Sequence, residues 1–411
     1  SNSEIMAGIL EKAGHKLVDR DDCEIIIVNT CTVKGTTEKK VLSEIKLLSR
    51  SGKIVIVAGC MGEVQLDDIK IANPDAHVIG INLVSKIDKV VDEIIKIESG
   101  CVEIFNDKVH ELVNVAKKRI NPKINIVQIS QGCDNSCSYC IVRSAKGHLV
   151  SFDPRNILTD IEKSIDDGCA EIWLTSQDCA AYGSDINMSL PALLRKIVLI
   201  PGDFKVRIGM MNPKSVLPIL DDLVVAFKNE KIFKFLHMPV QSGSDKVLKD
   251  MNRGYSISEV KKILSKFRKD VKQVSFATDV IAGYPTESDE DYKMTKDFLK
   301  DEMPEMINIS GYTPRPMTVA KRLKNHASEV IKIRTSRISA VADMVKTKKN
   351  REWVSWIGDA LVEEKVRNGV LARNFAYRPI VIKNEKLKVG QKVKVEVIDS
   401  AEGYLFGENI K

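Results

Sequence analysis

The sequence predicts an α/β protein in three parts: an amino-terminal doubly wound parallel sheet, a central partial (β/α)6 barrel and a carboxyl-terminal small antiparallel β-barrel. Three observations predict it. Amphipathic helical stretches alternate with short apolar strands through the first hundred or so residues. After a connector the alternation resumes and gives six strand–helix units, and the tail is a run of Val-, Ile- and Lys-rich strands punctuated by Gly. A chain of 411 residues is too long for one ordinary core, and a hydrophobic fraction of 44% suits globular domains.

The first helix carries Ile5, Met6, Ile9, Leu10 and Ala13 on one face and stops at Gly14. A buried strand follows at 24–28, then a helix after Thr36 and Thr37 with Val41, Leu42, Ile45 and Leu48 on one face, strands at 54–58 and 77–81, and a helix around 90–97. Residues 100–122, ending in Lys117, Lys118, Arg119 and Pro122, form the connector; the domains are therefore expected at 1–105, 120–345 and 350–411. Central strands are predicted at 124–130, 171–175, 206–210, 233–238, 274–281 and 306–310, too few to close an eightfold barrel. Asp153 before Pro154, and Ser189 two residues before Pro191, open helices between them. A charged helix over 327–353 leads to tail strands at 360–366, 378–382 and 392–398.

No apolar run approaches the length a bilayer requires, and the amino terminus lacks a secretory pattern, so a cytoplasmic protein is expected. The net charge of +7 permits a polyanionic partner such as RNA without requiring one. Nine cysteines, odd in number and unevenly spaced, argue against a disulfide framework and for metal or redox use in a reducing compartment.

The segment Gln131-Gly132-Cys133-Asp134-Asn135-Ser136-Cys137-Ser138-Tyr139-Cys140 places three thiols within eight residues, just after a predicted strand. Thiolates are the natural ligands of iron in clusters, and three of them leave one corner of a four-iron cube open to bind a substrate. Structural zinc is the alternative, and it would want a fourth ligand, for which His148 is the nearest candidate. Cys31 and Cys60 each directly follow an apolar strand, at the sheet edge where ligands of doubly wound folds bind; they share one site or are two buried structural cysteines. Cys23 precedes its strand, and Cys101, Cys169 and Cys179 read as packing or incidental residues.

The Cys-x-x-x-Cys-x-x-Cys pattern at the end of a first barrel strand resembles the radical S-adenosylmethionine (SAM) superfamily. Asn29-Thr30-Cys31-Thr32-Val33 and Val57-Ala58-Gly59-Cys60-Met61 sharpen the resemblance to its methylthiotransferase family, and Ser176-Gln177-Asp178-Cys179-Ala180-Ala181-Tyr182-Gly183, Ile141-Val142-Arg143 and Val206-Arg207-Ile208-Gly209-Met210-Met211-Asn212-Pro213 look most like its archaeal and eukaryotic threonylcarbamoyladenosine tRNA branch. The resemblance implies two [4Fe-4S] clusters with SAM as cofactor: a radical cluster on Cys133, Cys137 and Cys140, and an auxiliary cluster on Cys31 and Cys60 whose third ligand is expected upstream of Ser1. It also covers Leu174-Thr175-Ser176-Gln177-Asp178, Val206-Arg207-Ile208-Gly209, His237-Met238-Pro239-Val240-Gln241-Ser242-Gly243-Ser244 and Thr278-Asp279-Val280-Ile281-Ala282-Gly283.

From these segments Tyr139, Ser176, Gln177, Asp178, Arg207, Gln241, Ser242 and Asp279 are expected around the cofactor, with loop capping as the structural alternative for the second group and strand-end packing for Asp279. The tail resembles the RNA-binding TRAM domain, so Arg373, Tyr377 and Arg378 are expected to grip phosphate and stack on an unpaired base, and Arg143 to meet the carboxylate of the modified nucleoside. The partners implied are a tRNA anticodon stem-loop and an electron-donor protein, with no membrane. Competing readings are an isopentenyladenosine tRNA or ribosomal-protein methylthiotransferase, a radical enzyme without sulfur insertion, and a non-catalytic iron–sulfur RNA-binding sensor.

Overall fold

The apolar runs form strands and the periodic stretches form helices in the computed structural model, which describes residues 2–32, 35–97, 100–106 and 108–410. Ser1 and Val33, part of the segments quoted above, lie outside the described residues. In chain order the strands are β1 (Ile25–Thr30), β2 (Ile54–Gly59), β3 (His77–Ile79), β4 (Glu103–Ile104), β5 (Ile124–Gln128), β6 (Ser130–Gln131), β7 (Val150–Ser151), β8 (Glu171–Thr175), β9 (Lys205–Ile208), β10 (Phe235–His237), β11 (Ser275–Ala282) and β12 (Met306–Gly311). The tail adds β13 (Ile357–Val366), β14 (Gly369–Asn374), β15 (Pro379–Ile382), β16 (Lys392–Ser400) and β17 (Leu405–Asn409).

The chain divides into two compact units. The first comprises residues 1–120, 130–160 and 313–322, and the second residues 121–129, 161–312 and 323–411. The cysteine loop thus belongs with the amino-terminal sheet, and the tail barrel with the central strands, a grouping that cuts across the boundaries drawn from the sequence.

In the first unit, β1 to β4 form a parallel sheet in the order β1-β2-β3-β4, with β1 and β2 in register from Ile25↔Ile54 to Thr30↔Gly59. Val28, Val55, Val57 and Val78 pack under Ile45, Leu48 and Ile69 of the covering helices. Ile56, Ala58 and Ile79, on the alternate positions, are also fully buried. Both faces are therefore covered, as an all-parallel sheet requires.

In the second unit, β5, β8 and β9 form one parallel three-stranded sheet and β10, β11 and β12 another, with a bridge from Val206 to Ile232 beside β9. Ile172, Leu174, Val206, Ile208 and Leu236 are buried on the helix-facing side. Period-two alternation then sends Trp173, Arg207, Phe235 and His237 to the inner face, where their rings and the guanidinium meet. Helices between the strands are capped as short polar residues dictate: Ser189 accepts from the backbone of Ala192, and Ser256 with Glu259 and Ser288 with Asp291 form capping boxes.

The tail closes into a five-stranded barrel, ordered β13-β14-β15-β17-β16, around Val362, Val370, Val395, Val397 and Leu405. One of its pairings, β15 with β17, is parallel, against the purely antiparallel expectation. Two of its strands, Gly369–Asn374 and Leu405–Asn409, go unseen in the sequence because Gly and Asn interrupt their apolar pattern. Among the described residues, no helix is long and apolar enough to cross a membrane.

Candidate functional site

Cys133, Cys137 and Cys140 lie on one loop of the first unit, tied at its base by the antiparallel pairs Ser130↔Ser151 and Gln131↔Val150. The Cys133 backbone donates to the Gly147 carbonyl at 3.1 Å, and that of Cys140 to the Cys137 carbonyl at 3.0 Å. Gly132 has φ 81°, and a Cβ there would fall 1.8 Å from the His148 carbonyl oxygen, so only glycine lets the two ends of the loop approach. All three thiols are partly exposed and none is in a disulfide. The Asn135 amide donates to Cys133 Sγ at 3.5 Å, the kind of contact that tunes a sulfur ligand.

The donor set fits an iron–sulfur cluster. Three thiols on one short loop, partly exposed and none in a disulfide, are the ligand type and number that such a cluster takes while keeping one iron open. His148 is also occupied on both sides of its ring: Nδ1 lies 2.8 Å from Asp134 Oδ1 and Nε2 3.2 Å from Arg143 Nη2. It therefore holds the exposed Arg143 side chain and is not placed as a fourth zinc ligand.

Cys31 and Cys60 follow the register pair Thr30↔Gly59 and so leave adjacent strands side by side. Gly59 has φ 101°, and a Cβ there would press on the Thr30 carbonyl oxygen at 2.7 Å, while Thr30 Oγ1 accepts from the Met61 backbone at 3.1 Å. Cys60 is buried, with Ile81 and Ala145, and Ala145 lies on the short helix Val142–Lys146 that begins two residues after Cys140. Burial pushes the Cys60 thiol up in pKa; the Lys146 ammonium opposes that rise, and the neighbouring Cys31 adds to it. Cys60 thus packs against the helix that leaves the cysteine loop, with Cys31 beside it at the end of the neighbouring strand. Asn29 donates to Ser3 Oγ at 2.8 Å, bringing the start of the first helix to the end of β1. Cys23 sits at the opposite end of β1 and donates to the Arg20 carbonyl.

On the inner face of the second unit, Arg207 lies against the rings of Trp173, Phe235 and Tyr377 at 5.0, 5.3 and 5.2 Å from their centroids. His237 Nε2 is 2.9 Å from Asp279 Oδ2, with both side chains partly exposed. Gln177 is partly exposed at the end of β8. Gln241 is held with φ 76° because its backbone donates to the Asp279 carbonyl at 2.8 Å and accepts from Ile281 at 2.9 Å. A non-glycine residue in that region costs about 1 kcal/mol or more, and such strain collects where a side chain is needed. Gln241→Gly is accordingly expected to leave urea-unfolding stability unchanged or raise it by up to about 1 kcal/mol while weakening SAM binding in equilibrium dialysis. Loss of stability with unchanged binding would contradict this.

Three residues of this unit expected around the cofactor are buried and hydrogen-bonded within the framework. Asp178 is fully buried and accepts from the Asn212 backbone at 3.0 Å and from Ser215 Oγ at 2.7 Å; burial raises its carboxyl pKa. Ser176 Oγ accepts from the Asp178 backbone at 2.9 Å. Ser242 is buried, with Oγ beside Thr295 Oγ1 and accepting from the Ser244 backbone. Their polarity belongs to turn and cap geometry.

The tail residues expected to grip RNA are also relocated. Tyr377 and Arg378 are each only 5% exposed, and Arg373 pairs with Glu363 at 2.9 Å and lies 4.5 Å over the Tyr377 ring. Arg378 donates to Asn350 on the long helix Ser328–Arg351. Tyr377 packs against Phe233 and Phe235 and Arg378 bonds the long helix, so these two side chains join the small barrel to the central part of the unit, while Arg373 is held within the barrel. Burial raises the Tyr377 phenol well above its ordinary value.

Beside them, Glu171 is buried against Glu363, and burial together with that carboxylate pushes its pKa up to about 8. Trp173 Nε1 donates to Glu171 at 2.9 Å. A group whose pKa is raised on folding contributes stability present in full below its unfolded value and lost as pH rises through the folded one. Glu171→Gln, a neutral isostere, should therefore gain stability relative to the parent between about pH 4.5 and 8, with a slope approaching about 1.4 kcal/mol per pH unit. Urea titrations across this range test it; parallel curves would contradict it.

Sequence reasoning missed Trp173, Phe235 and the His237–Asp279 pairing. Their signal was alternation: within Glu171–Thr175 and Lys205–Ile208, Trp173 and Arg207 take the positions between the helix-facing Ile172 and Leu174 and between Val206 and Ile208.

Comparison with known proteins defines the class. Residues 127–299 match the radical SAM superfamily, residues 359–410 the TRAM domain, and residues 1–80 a family described as Uncharacterized protein family UPF0004. The fold resembles that of a radical SAM methyltransferase from Kitasatospora setae, with TM-score 0.53 and 12% identity over 77% of this chain and 68% of that one. A probable threonylcarbamoyladenosine tRNA methylthiotransferase of Methanothermobacter thermautotrophicus is 37% identical over 99% of this chain and 96% of its own length. The Drosophila melanogaster threonylcarbamoyladenosine tRNA methylthiotransferase is 33% identical over 99% of this chain and 75% of its own length. The chain belongs to the threonylcarbamoyladenosine tRNA methylthiotransferase family.

Proposed function

We propose that the protein converts threonylcarbamoyladenosine next to the anticodon of tRNA to its 2-methylthio derivative, using SAM and two [4Fe-4S] clusters. The observation that carries the proposal is the pairing within the first unit of two thiol sets: Cys133, Cys137 and Cys140 on one loop, and Cys31 beside Cys60, which packs against the helix that leaves that loop. A radical enzyme needs the first set; sulfur insertion needs a second.

When bound, the radical cluster supplies the electron that cleaves SAM to methionine and a hydrogen-abstracting 5′-deoxyadenosyl radical. The chain's part is placement. Cys133, Cys137 and Cys140 would hold the radical cluster, with three thiolates for four irons so that one iron would be open to the cofactor. Cys31 and Cys60 would hold the auxiliary cluster. Tyr139, Gln177, Arg207, Gln241 and Asp279 are the side chains we assign to the cofactor and the reacting nucleoside, with His237 orienting Asp279. Arg143, exposed and held by His148, is our candidate for the threonyl carboxylate.

The proposal divides the work among an auxiliary-cluster domain at 1–105, a radical domain at 120–345 and an RNA-binding barrel at 350–411. Phosphate contacts then fall to the exposed lysines of the barrel, such as Lys388 and Lys394, in place of Tyr377 and Arg378. We further assign the protein to the cytoplasm, with an electron-donor protein as partner.

The substrate assignment is tested by competition. The anaerobically reconstituted protein is given SAM, reductant and equal amounts of tRNA bearing threonylcarbamoyladenosine, tRNA bearing isopentenyladenosine and ribosomal protein, and products are read by mass spectrometry. Methylthiolation of the first alone is expected; modification of either other substrate in its place would overturn the assignment.

A further inference from the structure

Arg207 sits on the inner face of the second unit in an unusual state for a half-buried guanidinium. Its buried Nε has no hydrogen-bond partner among the described residues, and its charge rests against three aromatic rings. Of the buried acids nearby, Glu363 commits Oε2 to Arg373 and Glu171 commits Oε2 to the Trp173 indole. An arginine held by π faces keeps its fork of donors for a ligand, whereas one bonded to a protein carboxylate does not.

Two walls of this cage, Trp173 and Phe235, come from central strands; the third, Tyr377, comes from the small barrel. The loop bearing Tyr377 is built for the purpose. Asn374 Oδ1 accepts from the backbones of Ala376 and Arg378, both at 3.0 Å, and the Phe375 carbonyl accepts from the Lys234 backbone at 2.7 Å. Tyr377 itself takes φ 60°, uncommon for a bulky residue, and its ring packs 4.9 Å from that of Phe233 and 5.0 Å from that of Phe235.

We propose that Tyr377 is a positioning residue for Arg207, through which the small barrel completes a carboxylate-binding site on the inner face of the central strands. The inference rests on the function proposed above, which supplies two carboxylates: that of the SAM methionine, which can meet Arg207 through an oxygen not bound to iron, and that of the threonyl group on the nucleoside, for which Arg207 is then the alternative to Arg143. Tyr377 touches neither. It fixes the guanidinium so that little freedom is lost when a carboxylate arrives.

The test uses the reconstituted holoprotein, with Tyr377→Leu, Tyr377→Phe, Arg207→Met and the Leu/Met double variant. Two binding arms separate the sources: equilibrium dialysis of SAM without RNA, and filter binding of an anticodon stem-loop carrying threonylcarbamoyladenosine against the same RNA with plain adenosine. Tyr377→Leu is expected to weaken binding about tenfold, or about 1.4 kcal/mol, in one arm. Tyr377→Phe, which keeps the ring, should restore it to within about twofold, and the Leu effect should vanish in the Arg207→Met background. The weakened arm names the carboxylate.

Unchanged binding in both arms, or an equal Leu effect with and without Arg207, overturns the proposal. Should Tyr377→Leu fail to fold in thermal melts, Trp173→Leu removes a different wall and is read by the same cycle. A parent protein that binds both RNAs equally and makes no methylthio product would refute the functional reading, while the SAM arm would still decide the role of Tyr377.

Discussion

Cys137→Ala is expected to lower iron from about eight to about four per chain and to reduce 5′-deoxyadenosine release by more than about 1,000-fold. The size of the effect follows from the chemistry: an electron reaches the sulfonium only through a cluster with one open iron, and two thiolates on this loop do not hold one. Stability should hardly change. Cys137 is partly exposed, and the loop is fixed by the β6–β7 pairs and the fit of Gly132 against His148, none of which depends on the thiol. Iron content, thermal unfolding and product release measured on the same preparation separate cluster loss from unfolding. Undiminished cleavage would remove Cys137 from the ligand set.

The second large effect divides the reaction in two. Cys60→Ala should also lower iron by about four per chain and abolish methylthio product, yet leave 5′-deoxyadenosine release within a few-fold of the parent. Cys60 follows a different strand from the loop that carries the radical set, next to Cys31, and packs with Ile81 and Ala145. Truncating a buried sulfur in that apolar cluster should cost about 1 kcal/mol, too little to unfold the chain. Loss of cleavage together with loss of product would mean that the two thiol sets do not act separately. Retention of the methylthio product would mean that Cys60 is one of the buried structural cysteines that its surroundings alone allow.

What the sequence made legible was local. Cys133, Cys137 and Cys140 announce themselves because their spacing is their chemistry, and Cys31 and Cys60 because each ends an apolar strand, so parallel pairing must set them side by side. The six central strands were visible from β-branched runs. What stayed hidden depended on which face of an element is covered.

Arg373, Tyr377 and Arg378 have the composition of an RNA grip, yet the loop at Asn374 buries Tyr377 and Arg378, and Arg373 pairs with Glu363 on the neighbouring barrel strand. Nothing local distinguishes an arginine meant for phosphate from one meant for a glutamate of its own barrel. Ser176, Asp178 and Ser242 were ambiguous for a related reason, since short polar residues at strand ends serve turns as readily as ligands. The aromatic cage around Arg207 needed three distant segments, Trp173, Phe235 and Tyr377, and no spacing in one dimension foretells that they meet.

The central claim, that one chain joins radical cleavage of SAM to sulfur insertion on RNA, is tested most directly by a single anaerobic assay. The reconstituted protein is mixed with SAM, reductant and tRNA bearing threonylcarbamoyladenosine, and 5′-deoxyadenosine and the methylthiolated nucleoside are quantified together by mass spectrometry. Both should appear, rise in parallel with time and depend on the RNA. Absence of 5′-deoxyadenosine from protein carrying its full iron would contradict the claim outright, and 5′-deoxyadenosine without methylthio product would contradict its second half.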